Sequence, residues 1–220
     1  MITELWNPRK YVSPSELLFN LSEECKKLEV TKCDVYGDFV LPPEQSYLRR
    51  FEQEVANTFY QEDALFLPSG VMAQQIALQI HSKNTTHKSF ICHYSSHLLL
   101  HENNTTEHLL NMNPIIIPMN PTIKLQEPIS YNNISEKLIE YDYKISTVII
   151  ECPHRELGGK CTSFEDLLAV SMLCRSHHIA LHMDGARLWE ALAYYTSMIH
   201  PHTNEFITIS DICRLFDSIY

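Results

Sequence analysis

Two short polar runs in this sequence carry the residue types of an anion site and of a buried acid. The first is Pro68-Ser69-Gly70-Val71, which follows the apolar run Ala64-Leu65-Phe66-Leu67 and precedes a helical pattern. Free amides and the positive end of a helix dipole attract phosphate at such a point, and glycine permits close approach. A Ser-Gly pair before a helix is also an ordinary cap. The second run is Asp184-Gly185-Ala186-Arg187, at the end of the apolar stretch Ile179-Ala180-Leu181-His182-Met183. A carboxylate at a buried strand end is costly unless it is paired or hydrogen-bonded. Asp184 therefore reads either as a partner of Arg187 or a helix cap, or as an acid that holds a protonated ring nitrogen. In the second reading Arg187, one turn on, meets an anionic oxygen. The glycines point to the same places. There are only five (Gly37, Gly70, Gly158, Gly159 and Gly185), and each lies in or beside a polar cluster.

The elements that must position these runs alternate along the chain. A helix is expected from Ser15 to Lys27. Tyr47, Phe51, Val55 and Phe59 recur every four residues and mark a second helix, and Met72, Ile76 and Ile80 a third. Ala64–Leu67, Phe90–Cys92, Ile115–Ile117, Val148–Ile150 and Ile179–Met183 read as short apolar strands. Thr162-Ser163-Phe164-Glu165 has the Thr-x-x-Glu form of a capping box and opens a helix to about Ser176. Residues 186–195 read as another helix, and 103–113 as a loop or irregular helix. Short apolar strands separated by helices predict an α/β fold, a mostly parallel sheet flanked by helices on both faces. Residues 1–43 read as an N-terminal extension and 44–220 as one large domain. In an open parallel sheet, ligands bind beyond the carboxyl ends of the strands, where both polar runs fall.

A phosphate cradle together with a buried aspartate is what pyridoxal 5'-phosphate requires, because the pyridinium must stay protonated to accept electrons. The chain resembles the threonine aldolase and beta-eliminating lyase family, of the aspartate-aminotransferase type (fold type I). Five segments carry the resemblance in the family's order, over about residues 34–220. They are Asp34-Val35-Tyr36-Gly37, Leu67-Pro68-Ser69-Gly70-Val71-Met72-Ala73, Glu151-Cys152-Pro153-His154-Arg155-Glu156-Leu157-Gly158-Gly159, His182-Met183-Asp184-Gly185-Ala186-Arg187-Leu188 and Phe216-Asp217-Ser218.

The resemblance implies a fold-type-I large domain, incomplete at its C-terminus, that cleaves a β-hydroxy amino acid such as threonine to glycine plus an aldehyde. It implies that Ser69, Gly70 and the Val71 amide hold the cofactor phosphate, with Val71 standing where the family usually has threonine. It implies that His97 stacks over the pyridine ring near the reacting bond, that Asp184 pairs the ring nitrogen, and that Arg187 reaches the cofactor or the substrate carboxylate. Tyr36 and Arg155 fall near the substrate or a neighbouring subunit, and a homo-oligomer is expected. The chain departs from the family where Phe216-Asp217-Ser218-Ile219-Tyr220 would lead into the lysine that forms the Schiff base. No lysine follows Lys160, which lies on a different loop. The chain alone is expected to be inactive as a lyase.

Composition sets aside other classes. With 17 Lys+Arg against 27 Asp+Glu the formal net charge is -10, which argues against a nucleic-acid partner, and basic runs suited to an anionic membrane surface are absent. No apolar run approaches a bilayer span. The start Met1-Ile2-Thr3-Glu4-Leu5-Trp6 lacks a signal-peptide layout. Seven cysteines without a Cys-x-x-Cys suit reduced thiols in a cytosol. The twelve histidines include His93, His97 and His101, spaced by four, with Glu102 and His108 nearby. On one helix they would suit zinc, but His93 closes an apolar strand, so a metal centre is the lesser reading. A non-catalytic truncated relative or pseudo-enzyme binding chain is the other alternative.

Overall fold

The computed structural model describes residues 12–31, 46–83, 85–118 and 126–220. They fall into two compact units, residues 1–54 and 55–220. In the first unit, α1 (Pro14–Lys27) opens on Ser13, whose hydroxyl accepts the Glu16 amide, and carries the pairs Lys26–Glu23 and Lys27–Glu24. These exposed pairs contribute little to stability. The first unit ends within α2 (Tyr47–Phe59).

The second unit holds the sheet. In chain order come α3 (Gly70–Lys83), β1 (Ser89–His93), α4 (His97–Leu100), α5 (Thr105–Leu110), β2 (Asn113–Ile117), α6 (Tyr131–Glu140) and β3 (Thr147–Glu151). Then follow α7 (Phe164–Ser176), β4 (Ala180–Asp184), α8 (Leu188–Tyr195), α9 (Ile209–Cys213) and β5 (Ser218–Ile219). The strands lie in the order β2-β1-β3-β4-β5 and every pairing is parallel. The period-2 alternation of side chains sorts the core onto two faces. Phe90, Cys92 and Ile149 pack with Leu78 of α3, Leu98 of α4 and Met112. Ile91, Val148, Ile150, Leu181 and Met183 pack on the other side with Leu138 of α6, Leu167 and Val170 of α7, and Ala191 of α8. Each fully buried aliphatic side chain contributes roughly 1.5–3 kcal/mol. The α/β architecture expected from the sequence, a parallel sheet flanked by helices, is the fold observed.

Two local expectations are corrected and a third is made definite. Ala64–Leu67 belongs to no strand of the described sheet. Leu65 and Phe66 are 59% and 54% exposed, so no helix covers them as one would cover a buried parallel strand. Four apolar residues without periodicity do not separate a strand from an extended connection. The helix expected at Thr162 is capped one residue later. Ser163 Oγ accepts the Asp166 amide, while Thr162 Oγ1 donates to the Ile129 carbonyl. Between 103 and 113 the chain forms the short helix α5, bracketed by Asn103, Asn104 and Asn111, all at positive φ. Asparagine adopts that region more readily than most residues do, and of the two readings, loop or irregular helix, the structure shows the second.

The shifted cap can be tested directly. Ser163→Ala should cost about 1 kcal/mol, and hence lower the melting temperature by roughly 2–4 °C for a chain of this size. Glu165→Ala, which a Thr162–Glu165 box would make harmful, should leave it nearly unchanged. Thermal unfolding followed by circular dichroism compares the two.

Candidate active site

In the strand order the chain steps from β1 out to β2 and returns to the far side of β1 at β3. The crevice between β1 and β3 is therefore the point where the winding reverses, a preferred ligand position in open parallel sheets. The polar residues converge there. β1 ends at His93 and leads through Ser95 and Ser96 to His97. β3 ends at Glu151, and β4 at Asp184, directly in register with Glu151. Helix α3 begins at Gly70 and lays Gln74 and Gln75 along the same end.

Asp184 is 4% exposed. Its Oδ2 accepts Gln74 Nε2 at 3.0 Å and its Oδ1 accepts the Ala186 amide at 3.3 Å. No cationic side chain within salt-bridge distance faces it among the described residues. Burial, reinforced by the Glu151 carboxylate, pushes Asp184 up to about 6. Gln74 Nε2 also donates to Glu102 Oε1 at 3.2 Å, Gln75 Nε2 donates to Glu102 Oε2 at 2.9 Å, and Glu102 Oε1 lies 3.1 Å from His97 Nδ1. Glu102, with its side chain fully buried, thus accepts hydrogen bonds from the imidazole and from two glutamine amides. That fixes Nδ1–H on His97 and leaves Nε2 as the free ring nitrogen. The amide oxygens of Gln74 and Gln75 are buried without a partner. Turning either amide over would put oxygen against carboxylate, so both spend their NH2 groups on the acids.

Glu151 holds the two loops that flank the crevice. Its Oε2 accepts the His97 amide at 3.2 Å and its Oε1 the Arg155 amide at 2.9 Å. Behind it, Ser95 Oγ lies 2.9 Å from His93 Nδ1 and 3.0 Å from His154 Nε2, the two rings edge to face. Burial is the main force lowering the pKa of both rings, His93 to about 4, so they stand as neutral walls.

The sequence-derived candidates divide accordingly. Asp184 and His97 are brought together through Gln74 and Glu102. Ser69 immediately precedes α3, its carbonyl accepting the Ala73 amide at 3.0 Å, and Gly70 and Val71 open the helix, with Ser69 and Val71 exposed. Arg187 caps α8 three residues after Asp184. Arg155 is tied to the crevice through its backbone, while its Nε lies 3.7 Å from Glu156 Oε1. Tyr36 lies outside the described residues. His93, His97 and His101 end β1, start α4 and follow α4 respectively, so they share no helix face. Among the described residues no group of three or more His, Cys, Asp or Glu side chains is placed to hold a metal, and no helix is long and apolar enough to cross a membrane. Sequence reasoning missed Gln74 and the pairing of Glu102 with His97. The five-residue spacing His97–Glu102 was visible, but only the turn after α4 brings the carboxylate back onto the ring.

The beta-eliminating lyase family matches residues 34–220. The chain is 28% identical over 206 residues to a Schizosaccharomyces pombe protein described as a probable low-specificity L-threonine aldolase, covering 93% of this chain and 50% of that one. It is 26% identical over 216 residues to the low specificity L-threonine aldolase of Saccharomyces cerevisiae, covering 96% of this chain and 54% of that one. Among solved structures, a candidate L-allo-threonine aldolase of Listeria monocytogenes superposes with a TM-score of 0.74 at 30% identity, over 97% of this chain and 51% of that one. The chain thus spans about half the length of these relatives.

Asp184 yields a prediction whose sign is fixed. Its folded-state pKa, about 6, stands above the unfolded value of about 3.9. The ionised acid therefore opposes folding, by an amount that grows as pH rises from about 4 to 6 and is constant above. Asp184→Asn should stabilise the free chain by about 1–3 kcal/mol at pH 8, with the gain vanishing near pH 4. Thermal unfolding of both proteins across this range measures it.

Proposed function

Because the chain belongs to the beta-eliminating lyase family, we propose that it forms the cofactor-binding part of a pyridoxal-phosphate-dependent aldolase that cleaves a β-hydroxy amino acid, such as threonine, to glycine plus an aldehyde. Pyridoxal 5'-phosphate is the cofactor of this family. The observation that carries the reading is Asp184, a buried carboxylate pushed up to about 6 at a strand end, supported by amide donors alone. That donor set fits a protonated pyridine nitrogen, whose positive charge would offset both burial and the Glu151 carboxylate. The start of α3 fits a phosphate in composition, with Gly70 carrying no Cβ where the Tyr220 phenol lies against the first turn.

When bound, the cofactor supplies an electron sink for the pair released from the breaking bond. The remaining work falls to this chain's own residues. Ser69, Gly70 and the Val71 amide would hold the phosphate, and Asp184 would keep the ring nitrogen protonated. His97, its Nδ1–H held by Glu102, would lie over the ring, leaving Nε2 as the atom to exchange a proton near the reacting bond. Arg187 would take an anionic oxygen of cofactor or substrate, and the family resemblance assigns Tyr36 and Arg155 to the substrate or a neighbouring subunit. We place the whole protein in the cytoplasm as a homo-oligomer, with residues 1–43 as an extension and 44–220 as the cofactor domain.

One observation favours a second reading for the 220 residues by themselves, a non-catalytic binding chain. The sequence carries no lysine after Lys160, and Lys160 Nζ is held at 2.8 Å by both the Gln126 carbonyl and Glu127 Oε1. The 220-residue chain should give no glycine release and no borohydride-trappable cofactor adduct; turnover with such an adduct would sink this part of the proposal.

In a version continued through a lysine beyond β5, Asp184→Ala should remove most activity. His97→Ala should lower kcat at least tenfold more than His101→Ala, since His101 pairs outward with Glu156. Steady-state assays of glycine formation decide this, and equal losses at the two histidines would return His97 to a structural role.

A further inference from the structure

The phosphate end of the site contains a residue that none of the roles above uses. Tyr220 continues β5. Its amide donates to the Met183 carbonyl at 3.0 Å, and its carbonyl accepts the Gly185 amide at 2.9 Å, so its backbone is fixed beside the end of β4. Side chains two apart on a strand share a face. Ser218 Oγ, two residues earlier, lies 2.7 Å from His81 Nε2 of α3. Tyr220 therefore also faces α3, nearer the helix start. Its phenol reaches Gly70 itself. A Cβ added at Gly70 would lie 1.7 Å from Tyr220 Oη and 2.1 Å from Cζ, a separation no side chain could occupy. Burial, Asp184 and Glu102 raise the pKa of the phenol and Arg187 opposes them, so the ring stands among the site's own charged groups.

A phosphate held by the first amides of α3 needs the space beside Gly70. The phenol and the phosphate exclude one another there. We propose that Tyr220 determines which ligands the α3 cradle accepts: its phenol covers Gly70 in the free chain, and a phosphate-bearing ligand binds only by displacing it. The inference rests on the cofactor reading and adds a steric penalty that falls on the phosphate and not on the pyridine ring. Tyr220 is 38% exposed, so rotation about its side-chain bonds toward solvent can release the cradle without moving β5.

The test compares binding of pyridoxal 5'-phosphate and of unphosphorylated pyridoxal by fluorescence titration. It uses the 220-residue chain and its Tyr220→Ser and Tyr220→Phe variants. Tyr220→Ser should bind pyridoxal 5'-phosphate at least tenfold more tightly than the parent chain. Tyr220→Phe, which keeps the ring, should stay within about threefold. Pyridoxal should bind all three alike. Saturable binding of pyridoxal 5'-phosphate that Tyr220→Ser leaves unchanged, or an equal gain for both ligands, overturns the inference and leaves the cofactor reading standing. No saturable binding of pyridoxal 5'-phosphate by any of the three overturns both. A ligand-free comparison guards against a poorly folded serine variant. Gly70→Ala, introduced into the parent chain and into the Tyr220→Phe variant, should lower the melting temperature of each by several degrees, because the new methyl collides with the ring. An unchanged melting temperature in both backgrounds also overturns the inference.

Discussion

Holding carboxylates away from water without cations is the constraint that organises the carboxyl end of this sheet. Glu151 and Asp184 face one another in register on β3 and β4, and Glu102 lies buried nearby. Three acids so placed repel one another, and an unpaired buried charge is among the costliest things a fold can contain. Each acid meets the problem differently. Glu151 accepts two backbone amides from the loops on either side of the crevice. Glu102 accepts an imidazole and two glutamine amides. Asp184 keeps one shared glutamine amide and one long backbone contact, and burial beside Glu151 pushes it up to about 6. The shortfall sits at the position where a protonated ring nitrogen would supply the missing charge.

The same economy ties fold to site. Helix α3 packs Leu78 into the core face shared with Phe90 and Ile149. It turns Gln74 and Gln75 toward the acids and presents Gly70 at its start. One element therefore helps to position Asp184, Glu102 (the partner of His97) and Gly70. A displacement of α3 would disturb all three together. The crevice between β1 and β3 exists because the chain reverses its winding there, and Glu151 spans it by holding the His97 amide from the opposite strand end.

Much of this was legible in the sequence because it depends on local pattern. Apolar runs of three to five residues between helical periods specify a parallel α/β sheet, and Asp184 stands out as an acid ending one of them. The segments around Ser69-Gly70 and Asp184-Gly185-Ala186-Arg187 carry their chemistry within a few residues. What escaped depends on contacts between distant residues. Gln74 reads as a polar helix residue until its amide is seen between Glu102 and Asp184, 28 and 110 positions away. Tyr220 reads as a strand residue until its phenol is found on Gly70. Ala64–Leu67 misled in the opposite sense, since an apolar composition does not specify which edge, if any, a segment will join.

The carboxyl carbon of Asp184 reports most directly on whether this acid takes up a positively charged partner. With aspartate side chains labelled by carbon-13, and Asp184→Asn used to assign the signal, NMR can follow its titration in the free protein and at saturating pyridoxal 5'-phosphate. The account predicts a midpoint near pH 6 in the free protein, falling by at least one unit when the ligand is bound. A midpoint that the ligand leaves in place would contradict it.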